Sequence, residues 1–116
     1  MTGGALHLRG HELRWQPAHP LVMGIVNTGA DSFSDAGPPP TTASSVELAL
    51  SLVADGADLI DVGGESGVTY NGESDAAAER DRVVPVIAEL AAGGVAVSVD
   101  TYKPLVAEAA LEAGAV

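Results

Sequence analysis

Three apolar runs that recur along the chain constrain its fold more than any other feature of the sequence. The runs cover residues 21–26, 57–62 and 95–99. The polar residues Asn27, Asp61 and Asp100 lie at or near their ends, roughly 35 to 40 residues apart. Continuous apolar runs of this length predict strands buried on both faces, as in a parallel sheet covered by helices. We therefore expect parallel strands joined by right-handed crossovers.

A helical pattern follows each apolar run. The predicted helices are residues 44–54, about 75–91 and 104–113. Ser44 and Glu47 have the spacing of a capping box at the start of the first helix. Pro85 falls inside the second helix and is expected to kink it or split it into two segments. Pro104 suits the first turn of the third helix.

The order of these elements predicts an α/β fold. Residues 6–15 alternate apolar and polar side chains around Gly10, which predicts a short β-hairpin before the first unit. Residues 114–116 have the character of a fourth strand's opening. A (β/α)8 TIM barrel needs about 250 residues. We therefore expect these 116 residues to be the N-terminal part of such a barrel, with about three βα units, truncated at the start of the fourth strand.

Composition excludes several classes of partner. The formal net charge is −11 and there is no cysteine. A chain so acidic is unsuited to nucleic acid or to an anionic membrane, because both need clustered lysine and arginine. Thiolate metal sites and disulfides are excluded. Neither a signal peptide nor a segment long enough to span a bilayer is present, so we expect a cytoplasmic protein.

Polar side chains gather where the predicted strands end, which is the edge at which barrels bind their ligands. The side-chain oxygen of Asn27 is a hard neutral ligand of the kind that holds Mg²⁺ bridged to a phosphate. The carboxylate of Asp100 is an acceptor suited to the paired N–H groups of a heterocycle. For Asp61 and Glu65 we favour a structural role. Residues 63–72 are rich in Gly, Ser and Thr, and their amides could approach a substrate closely.

Three motifs carry a family resemblance. They are MGIVN-x-x-x-DSFSD at residues 23–35, DLIDVGGES at 58–66 and VSVDTYKP at 97–104. Together and in this order they closely resemble the N-terminal motifs of the dihydropteroate synthase family. The resemblance implies a single pterin-binding TIM-barrel domain, of which residues 1–116 are the N-terminal portion. It implies a transferase that joins 4-aminobenzoate to 7,8-dihydropterin-6-ylmethyl diphosphate, giving dihydropteroate and pyrophosphate in folate biosynthesis.

The same resemblance implies roles for individual residues. Asn27 would coordinate Mg²⁺ at the leaving pyrophosphate, and Asp100 would hydrogen-bond the pterin ring. A mobile loop would close over the site and supply catalytic residues that seat aminobenzoate and shield a cationic pterin intermediate, and a second loop would bind substrate. The residues of these two loops are Asp31, Phe33 and Asp35 in the first, and Ser66 and Thr69 in the second. The family also implies a homodimer.

The chain departs from the family pattern in both loops. Gly29 and Ala30 replace a Thr-Pro pair, and Gly67 and Val68 replace Thr-Arg. The loss of a cation at Val68 leaves open a synthase-like paralogue that binds a pterin without making folate. A small doubly wound ligand-binding domain and a methyltetrahydrofolate methyltransferase type are further alternatives. Because the family's remaining substrate contacts follow its fourth strand, we expect the 116-residue chain alone to be inactive.

Overall fold

A computed structural model of the chain describes residues 3–29, 40–64 and 76–116. Eight elements follow one another along these ranges. They are β1 (Gly4–Leu8), β2 (His11–Trp15), β3 (Met23–Asn27), α1 (Thr42–Ala54), β4 (Leu59–Gly63), α2 (Ala76–Ala92), β5 (Val97–Asp100) and α3 (Pro104–Ala113). No helix in these ranges is long and apolar enough to cross a lipid bilayer.

Strands β3, β4 and β5 form one parallel sheet in chain order, and β1 and β2 form a separate antiparallel hairpin. The three predicted βα units and the hairpin are therefore confirmed. The guanidinium of Arg9, in the turn of the hairpin, donates a hydrogen bond to the carbonyl of Leu111 at the end of α3. This bond ties the turn of the hairpin to the C-terminal end of α3.

Each strand of the parallel sheet begins two residues later than predicted. The residues just before β3 and β4 are joined by two hydrogen bonds that do not follow the regular pattern of a parallel ladder. Val22 N donates to the Asp58 carboxylate over 2.9 Å, and Asp58 N donates to the Val22 carbonyl over 2.7 Å. At the other end of the chain, Val116 N donates to the Val97 carbonyl over 2.8 Å. That bond lies where a next parallel strand would pair with β5, and the fourth strand stays a prediction.

The helices cover one face of the parallel sheet. The core between sheet and helices is made of aliphatic side chains, all of them almost fully buried: Val26, Ala49, Ile60, Val62, Val83, Val86, Ile87, Leu90, Val97, Val106 and Ala110. On the opposite face, Ile25 is 67% exposed and Met23 is 51% exposed. The described residues thus cover one face of the sheet and leave the other open, and burial of the strands on both faces stays a prediction.

Helix α1 begins two residues before the predicted start. Thr41 is its N-cap: the Thr41 hydroxyl accepts from Ser44 N over 3.0 Å, and the Ser44 hydroxyl accepts from Thr41 N over 2.8 Å. The capping box thus joins Thr41 to Ser44, and the predicted box of Ser44 with Glu47 is wrong. A serine hydroxyl at the third helical position satisfies the same backbone donor that a glutamate would reach in the standard box.

Helix α2 continues through Pro85, so the predicted split into two segments is wrong. A proline removes one backbone hydrogen bond from a helix. Its neighbours Val83, Val86 and Ile87 are completely buried against the sheet. Tertiary packing of this kind supplies most of a helix's stability in a folded protein, and here it outweighs the missing bond.

A buried ion pair connects α2 to the segment that follows β5. The Lys103 ammonium lies 2.9 Å from Oε1 of Glu79, and Glu79 is completely buried. Its second oxygen, Oε2, has no hydrogen-bond partner among the described residues. A buried charge is costly unless it is paired. The pair therefore fixes how the first turns of α2 meet the turn that ends β5.

Gly64, directly after β4, is required by the packing of α2. A Cβ at this position would lie 2.8 Å from Val83 Cγ1 and 2.9 Å from Glu79 Cγ. Real Cβ contacts are longer than this, and Val83 and Glu79 are both buried. Only a glycine lets α2 approach the end of β4 this closely.

We expect Glu79→Gln, made in the protein expressed from its complete reading frame, to lower the free energy of unfolding by about 3–5 kcal/mol. The substitution keeps the side-chain volume but leaves the Lys103 ammonium without the Glu79 carboxylate. Urea denaturation measures the loss. The double variant Glu79→Leu/Lys103→Met should recover much of it, because apolar pairs often replace buried ion pairs at little cost. Equal stability of Glu79→Gln and the wild type would contradict this account.

We expect Gly64→Ala to destabilise the fold by about 1–3 kcal/mol, the usual effect of forcing an extra methyl into a packed interior. The same urea denaturation measures it. Gly93→Ala is the matched control, because the nearest heavy atom to its new Cβ lies 3.5 Å away. A Gly64→Ala protein as stable as the Gly93→Ala protein would contradict this expectation, because α2 would then move away from the new Cβ at no cost in stability.

Candidate functional site

The register of the parallel sheet brings the two leading site candidates into one row. Asn27 pairs with Gly63 across β3 and β4, and Gly63 pairs with Asp100 across β4 and β5. Neighbouring strands lie about 4.8 Å apart, so the Cα atoms of Asn27 and Asp100 are roughly 10 Å apart. Side chains alternate between faces along a strand. Since Val26 and Val62 face the helices, the row faces the open side of the sheet.

The end of β3 holds Asn27 in a defined orientation. Gly29 N donates to Asn27 Oδ1 over 2.8 Å. The next residue, Thr28, donates to the Gly63 carbonyl from its backbone N over 2.7 Å and from its hydroxyl over 2.9 Å. An amide oxygen has two lone pairs. The bond from Gly29 uses one of them, and the other is available for a ligand.

Asp100 ends β5 with its side chain exposed. Its carboxylate leans toward the middle strand, because Oδ2 lies 3.9 Å from the position that a Cβ on Gly63 would take. The row therefore presents an amide oxygen at one end, a carboxylate at the other, and bare backbone between them. The sequence predicts the two ends of this row, and the bare centre is the feature that sequence reasoning missed.

The next row toward the start of the strands consists of Ile25, Asp61 and Ser98. The Ser98 hydroxyl donates to Asp61 Oδ1 over 2.6 Å. This hydrogen bond supplies a partner for one oxygen of the half-buried Asp61, in keeping with the structural role expected of that residue. With Ile25 exposed beside it, the row forms a partly apolar floor below Asn27 and Asp100.

An arginine that sequence reasoning missed lies at the end of β4. The Arg82 guanidinium, on α2, donates to the Gly64 carbonyl from Nε over 3.0 Å and from Nη2 over 2.5 Å. The sequence predicts that Arg82 lies on the second helix, but it does not predict the hydrogen bonds from Arg82 to the Gly64 carbonyl. A cavity of about 260 Å³ lies beside it and the end of β3, lined by Thr28, Pro40, Thr41, Thr42, Ser45, Asp81 and Arg82.

Several predicted site residues lie outside the described residues. They are Asp31, Phe33, Asp35, Ser66 and Thr69. Glu65, expected to be structural, and Val68, a departure from the family pattern, lie outside the described residues as well. Of the site residues expected from the sequence, the structure thus brings together Asn27 and Asp100. Within the ranges 3–29, 40–64 and 76–116, His, Asp and Glu side chains form no group of three that could hold a metal ion.

Three known proteins similar to this chain share one activity in their names. The dihydropteroate synthase of Mycobacterium leprae is 45% identical over 94 residues, which cover 81% of this chain and 33% of that protein. The Xanthomonas albilineans dihydropteroate synthase, solved with 4-aminobenzoic acid, matches with a TM-score of 0.81 and 43% identity over 98% of this chain and 41% of its own. The Burkholderia cenocepacia dihydropteroate synthase, complexed with 7,8-dihydropteroate, matches with a TM-score of 0.78 and 36% identity over 99% and 37%.

The chain thus spans about a third of the length of the curated relative from M. leprae. The sequence pattern of the family described as pterin binding enzyme matches residues 23–116, from the first residue of β3 onward. That range contains all three βα units and both ends of the Asn27–Gly63–Asp100 row. By sequence and by fold, this chain belongs to the pterin binding enzyme family.

Proposed function

We propose that the protein containing this chain is a dihydropteroate synthase. The reaction joins 4-aminobenzoate to 7,8-dihydropterin-6-ylmethyl diphosphate and releases pyrophosphate. The observation that carries the proposal is the row in which Asn27 and Asp100 face the same open side of the sheet across Gly63. The names of the relatives support it, and since the chain spans only part of their length, the activity belongs to the whole protein.

Asp100 is suited to recognise the pterin ring. An ionised carboxylate only accepts hydrogen bonds and can accept two side by side. The amino and ring N–H groups of a pterin form such a neighbouring pair of donors. The partly apolar row of Ile25 and Asp61 lies beneath and offers one flat surface on which a ring can rest. We infer that Asp100 fixes the orientation of the pterin relative to the strand ends.

Asn27 is suited to hold Mg²⁺. Its Oδ1 retains one lone pair beside the bond from Gly29, and Mg²⁺ typically takes one or two protein oxygens together with water and substrate phosphates. A single amide ligand therefore fits the ion's usual coordination. When bound, the ion stabilises negative charge that develops on the leaving diphosphate. The chain's own contribution is orientation, because the Gly29 amide and the Thr28 contacts fix the side chain before substrate arrives.

The two loops complete the proposed site. We infer that Phe33 and Asp35 seat the aminobenzoate and shield the cationic pterin formed as the carbon–oxygen bond breaks, and that Asp31 is a further catalytic residue of the same loop. Nearby carboxylates stabilise such a cation. Ser66 and Thr69 are proposed as substrate-binding hydroxyls of the second loop. A homodimer in the cytoplasm, with small-molecule substrates and no nucleic acid partner, is likewise proposed from the family resemblance and the acidic charge.

One sequence observation favours a second candidate function. Val68 stands where the family carries an arginine, and a charge-assisted hydrogen bond contributes about 1.5–3 kcal/mol. A paralogue that binds a pterin without making folate would tolerate this loss. Synthesis of dihydropteroate from both substrates and Mg²⁺, by the protein expressed from its complete reading frame, separates the two. Pterin binding without product formation would favour the paralogue.

We expect Asp100→Asn to reduce kcat/KM for the pterin diphosphate by roughly 10- to 100-fold, because an amide replaces one acceptor oxygen with a donor that faces the pterin's N–H groups. Dihydropteroate formation measures the effect. Asp55→Asn is the matched control, since Asp55 is exposed at the C-terminal end of α1, away from the row. Equal activity of the two variants would exclude Asp100 from substrate recognition.

We expect Asn27→Ala to raise the Mg²⁺ concentration needed for half-maximal activity by roughly tenfold or more, because it removes the amide oxygen proposed as ligand. A Mg²⁺ titration of product formation gives this value. Gln16→Ala removes a comparable amide from an exposed position near the hairpin and should leave the titration unchanged. A Mg²⁺ requirement that Asn27→Ala does not alter would contradict the assignment.

A further inference from the structure

Gly63 lies at the centre of the row, and the described residues give no internal reason for a glycine there. Its φ is not positive, unlike those of Gly10, Gly56, Gly94 and Gly114. A Cβ added at Gly63 would meet no described heavy atom closer than Asp100 Cβ at 3.7 Å, which is an ordinary van der Waals distance. Backbone conformation and packing among the described residues would therefore both accept an alanine.

The glycine is also costly where it stands. Gly63 is the last residue of β4 and pairs with both neighbouring strands. A glycine at a paired strand position weakens the sheet, because the unfolded chain gains freedom and no side chain packs. The adjacent Gly64 has a clear internal reason, since its Cβ would collide with Val83 and Glu79. Gly63 carries the same cost in stability, but its Cβ would collide with no described residue. A strand glycine of this kind often marks a place where a ligand or another backbone approaches closely.

The surroundings of Gly63 indicate what approaches. Its carbonyl already accepts from the backbone N and the hydroxyl of Thr28. What the residue presents to the open face is therefore a bare Cα. On its two sides lie Asn27, about one strand spacing away, and the Asp100 carboxylate. A ligand held by both ends of the row has to cross directly over this Cα.

We propose that Gly63 is a specificity-determining residue that keeps the backbone bare so that the pterin part of the substrate lies directly against β4. The proposal rests on the proposed function and deepens it. A methyl on Gly63 would hold the ring away from the strand while Asn27 and Asp100 kept their positions. A misplacement of about 1 Å can cost a hundredfold in rate.

The test uses Gly63→Ala in the protein expressed from its complete reading frame. Calorimetry measures the Kd for 7,8-dihydropterin-6-ylmethyl diphosphate with Mg²⁺, and thermal denaturation measures Tm. We expect a Kd at least tenfold weaker than that of the wild type, with a Tm equal to or slightly above it. Gly93→Ala, which adds the same methyl after α2 with 3.5 Å to the nearest heavy atom, should change neither value.

Each other outcome would overturn the proposal in a recognisable way. A wild-type affinity retained in Gly63→Ala would exclude a ligand pressed against this strand while leaving the proposed function intact. A Tm lowered as in Gly64→Ala would assign the glycine to packing against another part of the protein. A wild-type protein that does not bind the pterin diphosphate at all would overturn the proposed function and this inference with it.

Discussion

The parallel register of β3, β4 and β5 is the constraint on which the rest of the structure depends. Because the strands run in the same direction and in step, the last residues of each come together at one edge of the sheet. The described helices pack on one face, so the alternation of side chains places Asn27, Asp61, Ser98 and Asp100 on the other. A shift of one residue in any strand would turn these side chains into the core.

Two features of α2 keep that edge in place. The Glu79–Lys103 pair links the helix to the turn after β5, and the absence of a Cβ on Gly64 lets the helix approach the end of β4. Arg82, from the same helix, adds two hydrogen bonds to the Gly64 carbonyl. The turns that follow β4 and β5 are thus fastened to one rigid element. The ends of the strands are thereby held at a fixed spacing. Asn27 and Asp100 make none of these contacts themselves.

The sequence predicts much of the fold and part of the site. Asn27 and Asp100 could be placed together because parallel strands of similar length end at the same edge. The ion pair could not be foreseen in the same way. Glu79 belongs to the buried face of α2, four residues before Val83, but an acid in the first turns of a helix is also the usual favourable interaction with the helix dipole. Only the tertiary contact with Lys103 shows that Glu79 belongs to a buried ion pair and is not simply an acid near the start of the helix.

The errors of detail have similar causes. Thr41 and Ser44 are both good N-cap residues, so periodicity alone does not fix where α1 begins. The split is expected at Pro85 because a proline removes one helical hydrogen bond. The burial of the valines and the isoleucine around it, which keeps the helix continuous, depends on the whole sheet and cannot be seen in the local sequence. Burial of β3 on its second face stays a prediction, because an apolar run is equally consistent with one covered face or two.

The central claim is that a pterin diphosphate binds across the row of Asn27, Gly63 and Asp100. A crystal structure of the protein with Mg²⁺ and 7,8-dihydropterin-6-ylmethyl diphosphate tests it most directly. We expect the pterin in van der Waals contact with the Gly63 Cα, its N–H groups within hydrogen-bond distance of the Asp100 carboxylate, and its diphosphate on the Asn27 side. A pterin bound elsewhere, or separated from Gly63 by another side chain, would contradict it.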